Sequence, residues 1–172
     1  MSANPKAALL TQRPILNVDE VELLPRPPQM RPNGTAAEKF DARMGALGQR
    51  LGAKKLGYNV TAIAPGKRAY PFHSHHVNEE MFYVLEGAGE VRIGDASYEI
   101  RAGDVIACPA GGKETAHQIV NTGAAELRVL AVSTQLEPDI CEYPDSGKFG
   151  VLSESFRYLG REDAASGYWD GE

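Results

Sequence analysis

Several ordinary features are scarce in this sequence, and each scarcity excludes something. Only two cysteines occur in 172 residues, Cys108 and Cys141, far apart and without a CxxC pattern. Disulfide staples and cysteine-rich metal knots are therefore not expected, and both are read as reduced thiols. No apolar run approaches the roughly 18 residues of a membrane-spanning helix. The amino-terminal apolar stretch, Ala7 to Leu10, is too short for a secretory signal. A cytoplasmic protein is expected. Basic residues are not in excess: Lys and Arg total 18 against 23 Asp and Glu, for a net charge of -5. Without a basic stripe there is no electrostatic basis for binding nucleic acid or anionic membranes.

Apolar residues make up 42% and charged residues 24%, which suits one globular domain with its own core. Three zones differ in texture. Residues 1–52 form an irregular arm, with Pro14, Pro25, Pro27, Pro28 and Pro32 opposing long helices and central strands. Thr35-Ala36-Ala37-Glu38 fits a capping box for a short helix. Phe40, Met44, Leu47 and Leu51 continue at helical spacing, although Gly45, Gly48 and Gly52 weaken it. A competing reading places a strand at 40–44 and a helical turn at 46–50.

Residues 53–136 alternate short apolar segments with Gly and Pro breaks. Strands are predicted at 56–64, 69–75, 79–86, 88–94, 96–100, 104–108, 116–121 and 126–135, with Gly87-Ala88-Gly89 as a β-turn. Many short strands without intervening helices predict an all-β, antiparallel sandwich or barrel. Residues 137–172 are turn-rich and are expected to form a C-terminal extension packing on the barrel, with a loose end.

Chemistry concentrates in Pro71-Phe72-His73-Ser74-His75-His76-Val77-Asn78-Glu79-Glu80. Residues two apart on a strand face one side, so His73 and His75 point together and His76 points away. Glu80 heads a strand whose Phe82 and Val84 share its face, whereas Glu79 has outward parity. A carboxylate on an apolar inward face costs several kcal/mol unless paired or metal-bound. Imidazoles with one carboxylate suit Fe, Mn, Ni, Co or Zn. His117 heads a further strand and shares a face with Ile119 and Asn121.

These residues resemble the cupin superfamily. Its first motif is read here as Gly66, His73-Ser74-His75, Glu80 and Gly87, and its second as Gly103, Pro109-Ala110-Gly111, His117 and Asn121. The spacer before His73 is one residue longer than the common pattern, and that before His117 about three longer. The resemblance covers roughly residues 56–136. It implies a cupin double-stranded β-helix, a jelly-roll barrel, with one divalent transition metal held by His73, His75, Glu80 and His117. Open coordination positions would then face water or substrate. Tyr70, Phe82, Lys113 and Ile119 are candidate lining of a substrate pocket. Arg68 and Glu114 are secondary candidates.

The resemblance does not by itself choose a function. A metal-dependent enzyme on a small polar metabolite is expected, resembling a sugar-phosphate isomerase or a dioxygenase. The alternatives are a non-catalytic small-molecule binding module and a structural role for the metal. A homodimer is expected, with the proline-rich arm covering a partner's sheet edge.

Overall fold

The computed structural model describes residues 14–164 and 166–172. Its architecture is a six-stranded antiparallel sheet with two shorter antiparallel sheets. The larger contains β1 (Leu24–Pro25), β2 (Ala42–Ala46), β3 (Leu56–Ile63), β10 (Leu127–Thr134), β5 (Glu80–Glu86) and β8 (Val105–Cys108), in that order. The opposite face is built from two shorter sheets. One is β7 (Ala96–Arg101), β6 (Ala88–Ile93) and β9 (His117–Val120). The other is β13 (Arg157–Arg161), β12 (Lys148–Leu152), β11 (Asp139–Tyr143) and β4 (Ser74–His75). An antiparallel bridge between His73 and His117 joins these two sheets at the site of the clustered histidines. The arrangement is the all-β jelly roll expected from the alternating segments.

The core lies between the sheets. Ile63, Phe82, Val84, Val91, Ile100, Ile106, Ile119, Leu127 and Val129 are buried in one cluster drawn from seven strands. Each aliphatic side chain fully removed from water contributes about 1.5–3 kcal/mol. A smaller cluster, Val21, Leu47 and Val60 with Leu16, Val18 and Leu23, sits on the outer face of the larger sheet. Residues 16–23 of the proline-rich arm thus lie over the outer face of its own sheet.

Four expectations are corrected. The helical reading of Phe40 to Leu51 fails. Helix α1 spans only Thr35–Lys39, and the chain then enters β2. Gly45 is the reason: a Cβ there would collide with Val21, so the glycine lets the arm cross close over β2. Thr35 is not the N-cap; Gly34 occupies that position and contributes no side-chain cap. Strand 69–75 is reduced to β4 with isolated bridges at Arg68 and His73, because Pro71 has no N–H to donate. Gly87 is a corner between sheets rather than a hairpin turn. The strands it joins, β5 and β6, pair with different neighbours. With φ +85° and Glu126 O 2.6 Å from a would-be Cβ, only glycine fits there.

Asn121 locks the end of β9. Its side chain is fully buried, donates to Ile63 O and Ala125 O at 2.8 Å, and accepts from Gly123 N at 3.0 Å. Asn121→Ala strands these groups without partners, each costing about 1–3 kcal/mol. The expected outcome is a loss of about 3 kcal/mol, or roughly 6–12 °C in Tm, by thermal or urea unfolding.

Candidate metal centre

Four side chains meet where β4, β5 and β9 approach one another. Glu80 Oε2 lies 2.9 Å from His117 Nε2, 3.6 Å from His75 Nε2 and 3.8 Å from His73 Nε2. His73, His75 and Glu80 each offer a ligand atom within 4.8 Å of the others. His117 joins them through its hydrogen bond to Glu80. Strand parity brings the two histidines together: His73 and His75 flank the fully buried Ser74, and their rings stand 5.1 Å apart.

The remaining ring nitrogens are also held. His73 Nδ1 faces Pro71 O at 2.9 Å, His75 Nδ1 faces Asp139 Oδ2 at 2.6 Å, and His117 Nδ1 faces Thr115 O at 3.3 Å. A carbonyl or carboxylate oxygen can only accept, so each Nδ1 carries the hydrogen. In a neutral ring that leaves the lone pair on Nε2, whereas His117 Nε2 donates to the Glu80 carboxylate and carries a second hydrogen that must leave before it can ligate.

Electrostatics separate the three imidazoles. Burial, with His117 and His75 alongside, lowers His73 to about 4, against the pull of Glu80. Burial also opposes charge on His117, but hydrogen bonds to Cys108 and Glu80 outweigh it and raise that ring to about 10. Burial would raise Glu80, yet the His117 hydrogen bond and the charges of His75 and His73 hold its carboxyl below the ordinary value. The site is a buried anion facing a set of nitrogens, which is the donor chemistry of a borderline divalent metal.

Asp139 was not anticipated. It lies in the C-terminal extension, which does more than cover the barrel: β11 pairs with β4, placing Cys141 opposite His75 and Glu142 opposite Ser74. Asp139 is 3% exposed and accepts from Val77 N (3.1 Å) and Asn78 Nδ2 (2.9 Å) as well as from His75. Burial opposes its ionisation, but the bonds from Asn78 and His75 prevail and keep its carboxyl below the usual range. Its buried, fixed carboxylate orients His75. The Cys141 Sγ lies 3.3 Å from the same His75 nitrogen, and burial pushes its thiol up to about 12, so it stays protonated. His76 turns away and pairs with Glu142 at 2.6 Å, while Glu79 is exposed.

The expected pocket residues separate. Tyr70 borders a cavity beside His73, its ring 6.2 Å from that imidazole. Phe82 is buried core, 5.7 Å from the His117 ring, and Ile119 is buried in the same cluster. Lys113 is exposed on the turn Lys113–Thr115. Arg68 is half-buried and bridges Val120 through its backbone. The exposed Glu114 accepts from Gly112 N at 3.0 Å. The same cavity is lined by Arg26, Tyr143 and Lys148, from the arm and the extension. Tyr143 stacks near His73, with ring centroids 6.1 Å apart and planes 15° off parallel. Among the described residues, no helix is long and apolar enough to cross a membrane.

Comparisons with known proteins bear on the family and the fold. Residues 59–133 match the family model described as "Cupin domain". The protein MJ1618 of Methanocaldococcus jannaschii is 35% identical over 72 residues, 42% of this chain and 55% of that protein, so the chain spans little more than half of that relative. Protein SchB of Streptomyces halstedii is 32% identical over 134 residues, 74% of this chain and 90% of SchB. The crystal structure of the cupin-superfamily sugar phosphate isomerase SPO2919 from Silicibacter pomeroyi superposes with a TM-score of 0.76 at 25% identity. That likeness covers 91% of this chain and 98% of SPO2919. The chain is a member of the cupin superfamily, with structural likeness to a sugar phosphate isomerase.

Proposed function

We propose that this chain is a metal-dependent enzyme acting on a small metabolite, of the isomerase or dioxygenase type. One divalent transition metal would be held by His73, His75, Glu80 and His117. The observation that carries this reading is the convergence of three Nε2 atoms on one carboxylate oxygen while every Nδ1 is tied to an acceptor. Three Nε2 atoms gathered on one buried carboxylate give the nitrogen and oxygen donor set of a divalent metal once the His117 proton leaves. Likeness to SPO2919 supports the isomerase type.

A bound metal would polarise a substrate oxygen or bind oxygen, according to the metal. The protein's own residues supply the rest. Asp139 holds His75 in register. Tyr143, whose phenol is raised by burial and by the nearby Cys141 and Asp139, stays protonated and offers a hydrogen-bond donor beside His73. Phe82, its ring 5.7 Å from His117, is buried, as is Ala116 beside that histidine, and His117 itself is 3% exposed. We also propose a homodimer; a sedimentation mass of one chain would contradict it.

Proton release tests the metal reading. With a folded value near 10 against an ordinary 6.5, His117 is protonated at pH 8. Its pairing with Glu80 stabilises the metal-free fold fully below pH 6.5 and is lost as the pH rises through about 10. Metal uptake at pH 8 is therefore expected to release one proton, with apparent affinity rising about tenfold per pH unit. Calorimetry in buffers of different ionisation enthalpy measures this. Uptake with no proton release, or no uptake, contradicts the reading.

A further inference from the structure

The cavity beside His73 has a volume of about 420 Å³, within the range of roughly 300–1,000 Å³ that small ligands occupy. Two cations line it. Arg26, from the arm, donates to Ala69 O at 3.2 Å and lies 4.8 Å from the Tyr70 ring centroid. Lys148, from β12, lies 5.6 Å from the Tyr143 ring centroid. Arg43 pairs with Glu126, Arg92 with Asp145 and Arg128 with Asp19. Among the described residues neither Arg26 nor Lys148 has a carboxylate partner. In a chain of net charge -5, two uncompensated cations on one concave wall are a local reversal of sign.

The rest of the lining is mostly carbon, including Met30, Pro32, Phe40 and Leu159. Such a wall offers few partners for a row of hydroxyl groups, and a buried hydroxyl without a partner loses affinity. The same wall favours an aromatic or aliphatic body.

From these features we propose that the cavity binds an organic acid with an aromatic or aliphatic skeleton, its carboxylate on Arg26 and Lys148 and its carbon body between Tyr70 and Tyr143. This deepens the metal-enzyme reading and rests on it for the role of His73: the ligand's far end faces the metal centre. It also turns the substrate class away from polyhydroxylated sugars.

The test uses the full chain loaded with Zn²⁺ and three probes by isothermal titration: 3-phenylpropionate, its neutral amide, and glucose 6-phosphate. The acid is expected to bind at least about tenfold more tightly than either other probe, the worth of one charge-assisted contact. Arg26→Gln and Lys148→Gln are each expected to weaken the acid about tenfold, with Lys148→Arg retaining most binding and the exposed Arg50→Gln unchanged. Metal content of all four variants should equal the parent's. Equal binding of the amide, tighter binding of the sugar phosphate, no binding of the acid, or indifference to both Gln substitutions overturns the proposal. If the chain takes up no metal yet binds the acid through Arg26 and Lys148, the cavity assignment stands and the metal reading falls.

Discussion

His117→Ala is expected to reduce bound metal to under a tenth of the parent's content after equilibration with a weak chelator. The ring supplies the Nε2 at 2.9 Å from Glu80, the shortest of the three approaches. Removing it leaves three donors where four had acted, and structural and catalytic metal sites lose most of their affinity with a ligand. The substitution also deletes a buried ring packed 5.7 Å from Phe82, so some destabilisation is expected too. Two controls separate these effects. His76→Ala removes the neighbouring imidazole, which pairs with Glu142 outside the cluster, and should leave metal content unchanged. Glu80→Gln keeps shape but removes the charge, and should lose metal as His117→Ala does. Parent-like metal content in His117→Ala, measured by plasma mass spectrometry, would remove this ring from the site.

The second large effect is expected at a residue that need not touch the metal. Asp139→Asn preserves size and burial, yet replaces an ionised acceptor by an amide. His75 Nδ1 then loses its charged partner at 2.6 Å, and Asn78 and Val77 lose part of theirs. Substitutions of residues that orient metal-binding histidines cost about 10–100-fold in affinity, and that is the expected fall here. Because the folded Asp139 carboxyl lies below its ordinary 3.8, its contribution to stability is present above that pH and lost as the pH falls through the lower folded value. Asp139→Asn should therefore flatten the acid limb of the stability profile as well. A merely structural role would lower Tm without changing metal affinity in the folded protein. That outcome would contradict the positioning role.

The difference between these two residues shows what could be read from the chain. His73, His75 and Glu80 are close in sequence, and strand parity alone brings the histidines to one face and rejects His76. His117 came from the resemblance, since nothing local links it to residue 73. Asp139 lies 64 positions beyond His75 in a turn-rich zone. Its role depends on β11 pairing with β4, a long-range register that no local pattern encodes. Arg26 and Lys148 were equally hidden, each on a segment read as covering. In the barrel, most strands fall within one or two residues of their expected bounds because apolar alternation and glycine breaks are local signals. The helix expected through Leu51 failed because spacing cannot register Val21 crossing over Gly45.

The X-ray absorption spectrum of the purified full chain loaded with one equivalent of Zn²⁺ reports the ligand set of the ion itself. Three imidazole nitrogens and one carboxylate oxygen are expected at about 2.0–2.2 Å, with or without added water. A sulfur at about 2.3 Å, placing the ion on Cys141 or Cys108, or a shell of oxygen alone, would contradict it.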